Sequence, residues 1–388
     1  MGIDQALTLL VEAKNPGIFV GWGGVNASAE IIKIAEHLDI PVATTLQGLS
    51  SFPENHPLHC GFGIGPAAVP AAQNAFRDCD CLLAIGTRFG EIATGSYGIK
   101  VPENLIHIDI NEQVFNRNYS AKFAFKSDAK QLLALMAEKL IALFPTKINP
   151  DLKLKISQDK KALRETWYAI DNNEKVNPVR FYDALRSQMD DDAYLVMDDG
   201  NHTFLTAELM PIYHARGLIS PTDFNCMGYA VPATLGVKFA HPDKQVVSVV
   251  GDGAFLMTAM ELATANKNKL GVIQCVFNDG ELSQIAQAQQ RPYNNNTCSE
   301  LASIQFAGLA QATGAEYVKI DTNQDLTQGL QKAFSFAAEN KPVIVDVNID
   351  YSKPTCFTEG VVKTNIKRLP FDTKVRMVGR ALYRKFKN

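Results

Sequence analysis

The 388-residue sequence is most easily bounded by what it has little of. It contains no apolar run near the roughly 20 residues that a membrane-spanning helix needs. Its seven cysteines (Cys60, Cys79, Cys81, Cys226, Cys275, Cys298 and Cys356) include no Cys-x-x-Cys pair. An odd number spaced this way suggests neither a disulfide framework nor a zinc site, so reduced thiols are expected. Cys79 and Cys81 precede the apolar run Leu82 to Ile85 and read as buried structural residues. Neither sign of charge dominates: 38 Lys and Arg stand against 41 Asp and Glu, a net −3. Such a balance gives no global attraction to nucleic acid or to an anionic membrane. The opening MGIDQALTLLVEAKNPG sets acids among its apolar residues, which fits neither a secretory nor a transit peptide. Ala6 stands where a myristoylation signal wants a small hydroxyl residue. A cytoplasmic location is expected, and the Asn-x-Ser/Thr sequences at Asn26 and Asn201 then carry no meaning.

What is present is a large apolar fraction, 46% of residues, enough to build cores for two domains. In the first part, Gly17 to Gly21, Pro41 to Thr45, Cys81 to Ile85 and Leu105 to Ile110 read as strands. Ala29 to Leu38 and Ser127 to Leu143 alternate with them as helices. Phe144 to Glu174 reads as a linker with one helix. The pattern then restarts. Tyr194 to Met197, Gln245 to Val250, Val272 to Phe277 and Pro342 to Val347 are expected strands. Phe181 to Gln188, Ala230 to Ala240, Thr258 to Asn266 and Glu300 to Thr313 are expected helices. Strands alternating with helices imply parallel sheets covered on both faces. The expected fold is α/β, with two three-layer α/β/α domains and mainly parallel sheets: residues 1–147, a linker 148–176, residues 177–350, and a tail 351–388. Ten of the last 36 residues are Lys or Arg; a docked, solvated helix is the expected form of that tail.

The most informative stretch is Gly251 to Leu282, GDGAFLMTAMELATANKNKLGVIQCVFNDGEL. An apolar strand ends in Gly251-Asp252-Gly253, where small residues let backbone amides approach an anion. A helix follows, whose N-terminal amides favour phosphate. A second strand ends in Asn278-Asp279-Gly280. Parallel neighbours would deliver Asp252 and Asp279 to one edge of the sheet, where ligands bind in open α/β folds. Two carboxylates and a carbonyl, completed by phosphate oxygens and water, suit a magnesium ion on a diphosphate. An Asp-Gly turn alone would say little, because such turns end many strands.

These residues resemble the cofactor signature of thiamine-diphosphate-dependent enzymes, a GDG followed after about 25 residues by Asn-Asn or Asn-Asp. Here Asp279 follows Asp252 by 27 positions. The resemblance implies Asp252 and Asp279 as side-chain ligands of Mg2+ and the carbonyl of Glu281 as the third. The family more often has Asn at the second position; Asp279 adds a negative charge. Gly251, Gly253 and Ala254 would face the diphosphate. Met197-Asp-Asp-Gly-Asn-His202 resembles the family's D-x-G-x-H turn, placing Gly200, Asn201 and His202 beside it. Asn225-Cys-Met-Gly-Tyr-Ala-Val-Pro-Ala233 resembles a stretch of acetolactate synthase. There Met227 would be the wedge that bends the cofactor, and the carbonyl of Asn225 would accept from its 4′-amino group. Bending brings that amino group to the proton it must remove, a proximity effect.

The first half resembles the same family's middle domain through LLVEAKNPGIFVGWGG, IGTRFGE and IHIDINEQVFNRNY. Some members hold FAD or ADP there. Gly21, Gly23 and Gly24 lack the third small residue at the required place, and Thr44-Thr45 replace the expected acid, so neither FAD nor a nicotinamide cofactor is favoured.

Taken as a member of the acetolactate synthase, pyruvate oxidase and benzoylformate decarboxylase group, the chain is expected to act on a 2-oxo acid such as pyruvate, by decarboxylation and carboligation. Ser283 departs from the glycine usual after the metal turn in many relatives, which leaves decarboxylase and oxidase chemistry open. The resemblance places the catalytic glutamate in a further pyrimidine-binding domain ahead of the middle domain, and no stretch upstream of Gly17 could hold it, so no catalytic residue is assigned and this polypeptide alone is expected to be inactive. A truncated sequence, a separately encoded pyrimidine-domain partner chain, and a non-catalytic binding role are the three explanations. A homo-oligomer, dimer or tetramer, is expected.

Overall fold

The computed structural model describes residues 2–170, 174–221, 224–293, 295–376 and 379. Its frame is two six-stranded sheets. In the first half the strands are β1 (Pro16–Val20), β2 (Val42–Thr44), β3 (His59–Phe62), β4 (Cys81–Ile85), β5 (Asn104–Asp109) and β6 (Phe123–Lys126). In the second they are β7 (Tyr194–Met197), β8 (Leu218–Ile219), β9 (Val246–Gly251), β10 (Ile273–Asn278), β11 (Glu316–Ile320) and β12 (Val343–Asn348). The orders are β3-β2-β1-β4-β5-β6 and β11-β12-β10-β9-β7-β8. Every strand pair is parallel, as the alternation of strand and helix requires.

The strands of the second sheet are buried on both faces. Leu195, Met197, Val247, Val249, Cys275 and Phe277 turn into one core; Val196, Val250 and Val276 turn into the other. This period-two division of continuous apolar runs makes three layers. A separate core fills the first half, around Phe19, Ile31, Leu83, Ile106 and Leu133.

The expected linker helix spans Leu152–Tyr168 and buries Ile156 and Trp167. The tail carries the helix Cys356–Arg368, capped by the Thr355 hydroxyl. It spans both halves: Phe357 stacks on Phe204 at 4.4 Å and meets Phe62 at 5.5 Å. Arg368 donates to the carbonyls of Ser96 and Tyr97.

Two expected helices begin elsewhere. The helix after β9 starts at once, as Asp252–Thr258, passes through a 3-10 turn and resumes as Leu262–Lys267. The helix expected from Glu300 begins only at Phe306. The backbone before it is committed to a bridge, in which Leu282 N–H donates to Ser299 and Leu301 N–H donates to Gly280. All seven cysteines are free, and among the described residues no helix is long and apolar enough to cross a membrane.

Candidate functional site

Strand order locates the site. From β7 the second sheet grows one way to β8 and the other way to β9, so the crossovers diverge between β7 and β9. The carboxyl ends of strands at such a point leave a crevice. Register brings three strand ends level there: Met197 lies beside Val249, and Gly251 beside Phe277. The turns after β7, β9 and β10 line one cleft of about 140 Å³.

The turn after β7 is built around Asp198, a fully buried carboxylate. Its Oδ1 accepts from the N–H of Asp199 and of Gly228, each at 2.9 Å, and Oδ2 accepts from Ala230 at 2.7 Å. Burial raises its pKa while the amide donors oppose the shift. Asp198 thus fastens the end of β7 to the segment that carries Met227. Gly200 follows at φ 157°, a backbone conformation that residues with a side chain rarely adopt, and the helix Asn201–Leu209 starts beyond it. A Cβ at Gly200 would come within 2.7 Å of the His202 ring, so glycine makes room for the imidazole. Burial lowers the His202 pKa to about 3, which keeps the ring neutral.

The turn after β9 begins the second helix of the cleft. Asp252 is buried; its Oδ1 accepts from Gly253 N–H at 2.7 Å and its Oδ2 from Gly280 N–H at 2.8 Å. The second bond ties the β9 turn to the β10 turn. Asp279 sits at the end of β10, and its pKa is raised to about 6, first by burial and also by the charge of Asp252. Ser283 Oγ, one helical turn on, donates to Asp279 Oδ2. The side chain of Glu281 turns away to accept from Ser299 Oγ at 2.9 Å and Asn296 Nδ2 at 3.2 Å. The backbone bonds of its bridge are made by Gly280 and Leu282, which leaves its own carbonyl out of that pairing.

Of the residues singled out from sequence, Gly200, Asn201, His202, Met227, Gly251, Asp252, Gly253, Ala254, Asp279 and Glu281 all line the cleft. Asn225 does not; it is exposed, with φ 56°, two residues before Met227. Sequence reading did not place Asp198, Asp199 or Tyr351 in the site, and it noted Ser283 only as a departure from the family's usual glycine. Asp198 and Asp199 lay within the recognised turn, so the acidic pair was a usable signal. Tyr351 follows β12 from far along the chain, and nothing local marks it. Burial, with the charges of Asp279 and Asp252, pushes its hydroxyl well above the ordinary tyrosine value.

Comparisons with known proteins give the class. Residues 3–136 match the profile described as thiamine pyrophosphate enzyme, central domain, and residues 198–347 the one described as thiamine pyrophosphate enzyme, C-terminal TPP binding domain. The chain belongs to the thiamine pyrophosphate enzyme family. It is 31% identical over 369 residues to a probable acetolactate synthase large subunit of Methanocaldococcus jannaschii, covering 90% of this chain and 60% of that protein. It is also 31% identical over 369 residues to an acetolactate synthase large subunit of Haemophilus influenzae, covering 90% and 62%. With acetolactate synthase isozyme 3 large subunit of Escherichia coli K12 the figures are 29% over 368 residues, 90% and 62%. The chain spans about three-fifths of the length of these curated relatives.

The cleft suits a magnesium diphosphate on its own chemistry. Nδ2 of Asn201 and Nε2 of His202 are buried without a hydrogen-bond partner, and such groups are costly unless a ligand meets them. A Cβ on Gly253 would lie 2.7 Å from Leu282 Cδ2 and 3.7 Å from Met227 Cε, inside the lining. Among the described residues no group of three or more His, Cys, Asp and Glu forms a closed metal cage. Two carboxylates with a carbonyl leave positions for phosphate and water, the arrangement magnesium favours.

Proposed function

We propose that this chain is the cofactor-binding part of an acetolactate-synthase-like enzyme that decarboxylates a 2-oxo acid such as pyruvate and joins the remaining fragment to a second carbonyl compound. The observation that carries this reading is the meeting of Asp252 and Asp279 at the lip of one cleft with the unpaired polar atoms of Asn201 and His202. The similarity to acetolactate synthase large subunits supports the choice of reaction.

In this reading Asp252, Asp279 and the carbonyl of Glu281 would hold Mg2+. Gly251, Gly253, Ala254, Asn201 and His202 would hold the diphosphate, and Met227 would shape the bend of the cofactor. Thiamine diphosphate supplies, when bound, a carbon nucleophile and an electron sink for the leaving carboxylate. The chain's own contribution is orientation. Neutral His202 meets an anion by hydrogen bonding without adding charge, and the amides at the starts of two helices add favourable dipoles. Leu282, Ile285 and Met227 give the cleft an apolar wall. Ile285 is nevertheless 49% exposed, so one side stands open to another surface. We place there a pyrimidine-binding domain carrying the glutamate that the proton transfer needs, within a homo-oligomer or on a separate chain.

The test is turnover. The chain is incubated with pyruvate, thiamine diphosphate and Mg2+, alone and with the first domain of a relative, and acetolactate and carbon dioxide are measured. Acetolactate formed only when the domain is added supports the reading. Acetaldehyde or peroxide in its place would assign decarboxylase or oxidase chemistry. No product in either case would argue for a binding role.

A further inference from the structure

We propose that Ser283 sets the metal preference of the cleft: by engaging one carboxylate oxygen of Asp279 it confines that residue to coordination through the other, which favours magnesium over calcium. The inference rests on the reading of Asp252 and Asp279 as metal ligands.

Three features lead to it. Ser283 opens the helix Ser283–Tyr293 and is buried, 8% exposed. A serine at a helix start ordinarily serves the free amides of the first turn. Here its hydroxyl points back instead and donates to Oδ2 of Asp279, four residues earlier. Asp252, the other acid, already has each oxygen bonded to a backbone amide, from Gly253 and Gly280. Its orientation is fixed by main chain that no side-chain substitution removes. The Asp279 carboxylate is oriented in part by a side chain, so the mode of binding at this cleft can be altered at one position.

The two cations differ in what they ask of a carboxylate. Magnesium takes six oxygens in near-octahedral geometry at about 2.0–2.1 Å, while calcium takes six to eight, accepts both oxygens of one carboxylate and tolerates irregular geometry. A carboxylate with an O–H donor on one oxygen is biased toward giving the metal only the other. Removing the donor frees the two-oxygen mode that calcium can use. Partners that orient metal ligands in this way typically change affinity by about 10- to 100-fold when removed.

The experiment uses the full chain. Mg2+ and Ca2+ are titrated separately by calorimetry at saturating thiamine diphosphate, for the unaltered protein and for Ser283→Ala, Ser283→Thr and Ser283→Cys. The expected result is a ratio of magnesium to calcium affinity that falls about 10-fold or more in Ser283→Ala, is restored by Ser283→Thr, which keeps the hydroxyl, and is intermediate in Ser283→Cys, a weak donor. Equal weakening of both metals, or an unchanged ratio, overturns the proposal. If the alanine variant does not fold, the threonine and cysteine variants still carry the comparison, and equal ratios in them overturn it. Absence of metal-dependent cofactor binding in the unaltered chain would instead overturn the underlying metal assignment, an outcome distinct from a failure of Ser283 alone.

Discussion

Asp198 accepts the backbone N–H of Ala230 at 2.7 Å across 32 positions of sequence, and that of Gly228 at 2.9 Å across 30. One carboxylate therefore holds the segment bearing Met227 against the turn bearing Asn201 and His202. Replacing Asp198 by Ala would strand two buried amides of that segment and that of Asp199. We expect a loss of about 3 kcal/mol in urea unfolding, with weakened cofactor binding. Asp198→Asn keeps one acceptor oxygen and should lose less. An alanine variant within about 0.5 kcal/mol of the unaltered chain would show that the clamp does not matter.

Two glycines should respond oppositely to alanine. At Gly253 an added methyl points toward Leu282 and Met227 inside the cleft. These are movable side-chain ends, so Gly253→Ala should leave the fold nearly intact while reducing thiamine diphosphate affinity by about tenfold, roughly 1.4 kcal/mol. At Gly236, within the helix Ala230–Ala240 and exposed, a Cβ meets nothing within 4 Å. Gly236→Ala should stabilise the chain by about 0.5–1 kcal/mol without altering binding. Thermal unfolding with and without cofactor measures both.

Acid should act through His202. Burial lowers its folded pKa to about 3 from an ordinary 6.5. Between those values the unfolded chain takes up a proton that the folded chain refuses, so stability present above pH 6.5 is lost as pH falls. The contribution approaches about 1.4 kcal/mol per pH unit. His59, also buried and also lowered, adds in the same direction. The variant His202→Gln should show a shallower fall in stability from pH 6.5 to 4 than the unaltered chain. Parallel curves would contradict this account of the buried ring.

The division between what sequence revealed and what it hid follows the range of the interactions. Continuous apolar runs such as Val246 to Val250 announce strands buried on both faces, and the strand-end glycines and acids mark the cleft in the sequence itself. β6 was missed because Phe123 to Lys126 alternates half-buried and exposed residues, which weakens the apolar signal. The helix Asn201–Leu209 was missed because nearly all its residues are buried and it has no polar face to give a period. The tasks of Asp198, Ser283 and Tyr351 depend on partners that only the folded chain supplies, at 4 residues' distance for Ser283 and 30 or more for Asp198.

Calorimetry shows whether Asp252 and Asp279 build a metal-dependent thiamine diphosphate site. Thiamine diphosphate is titrated into the chain with Mg2+, with a chelator in its place, and into Asp252→Ala with Mg2+. The expected binding requires Mg2+ and weakens at least about 100-fold in the variant. Binding of equal strength without metal, or undiminished in Asp252→Ala, would contradict this assignment.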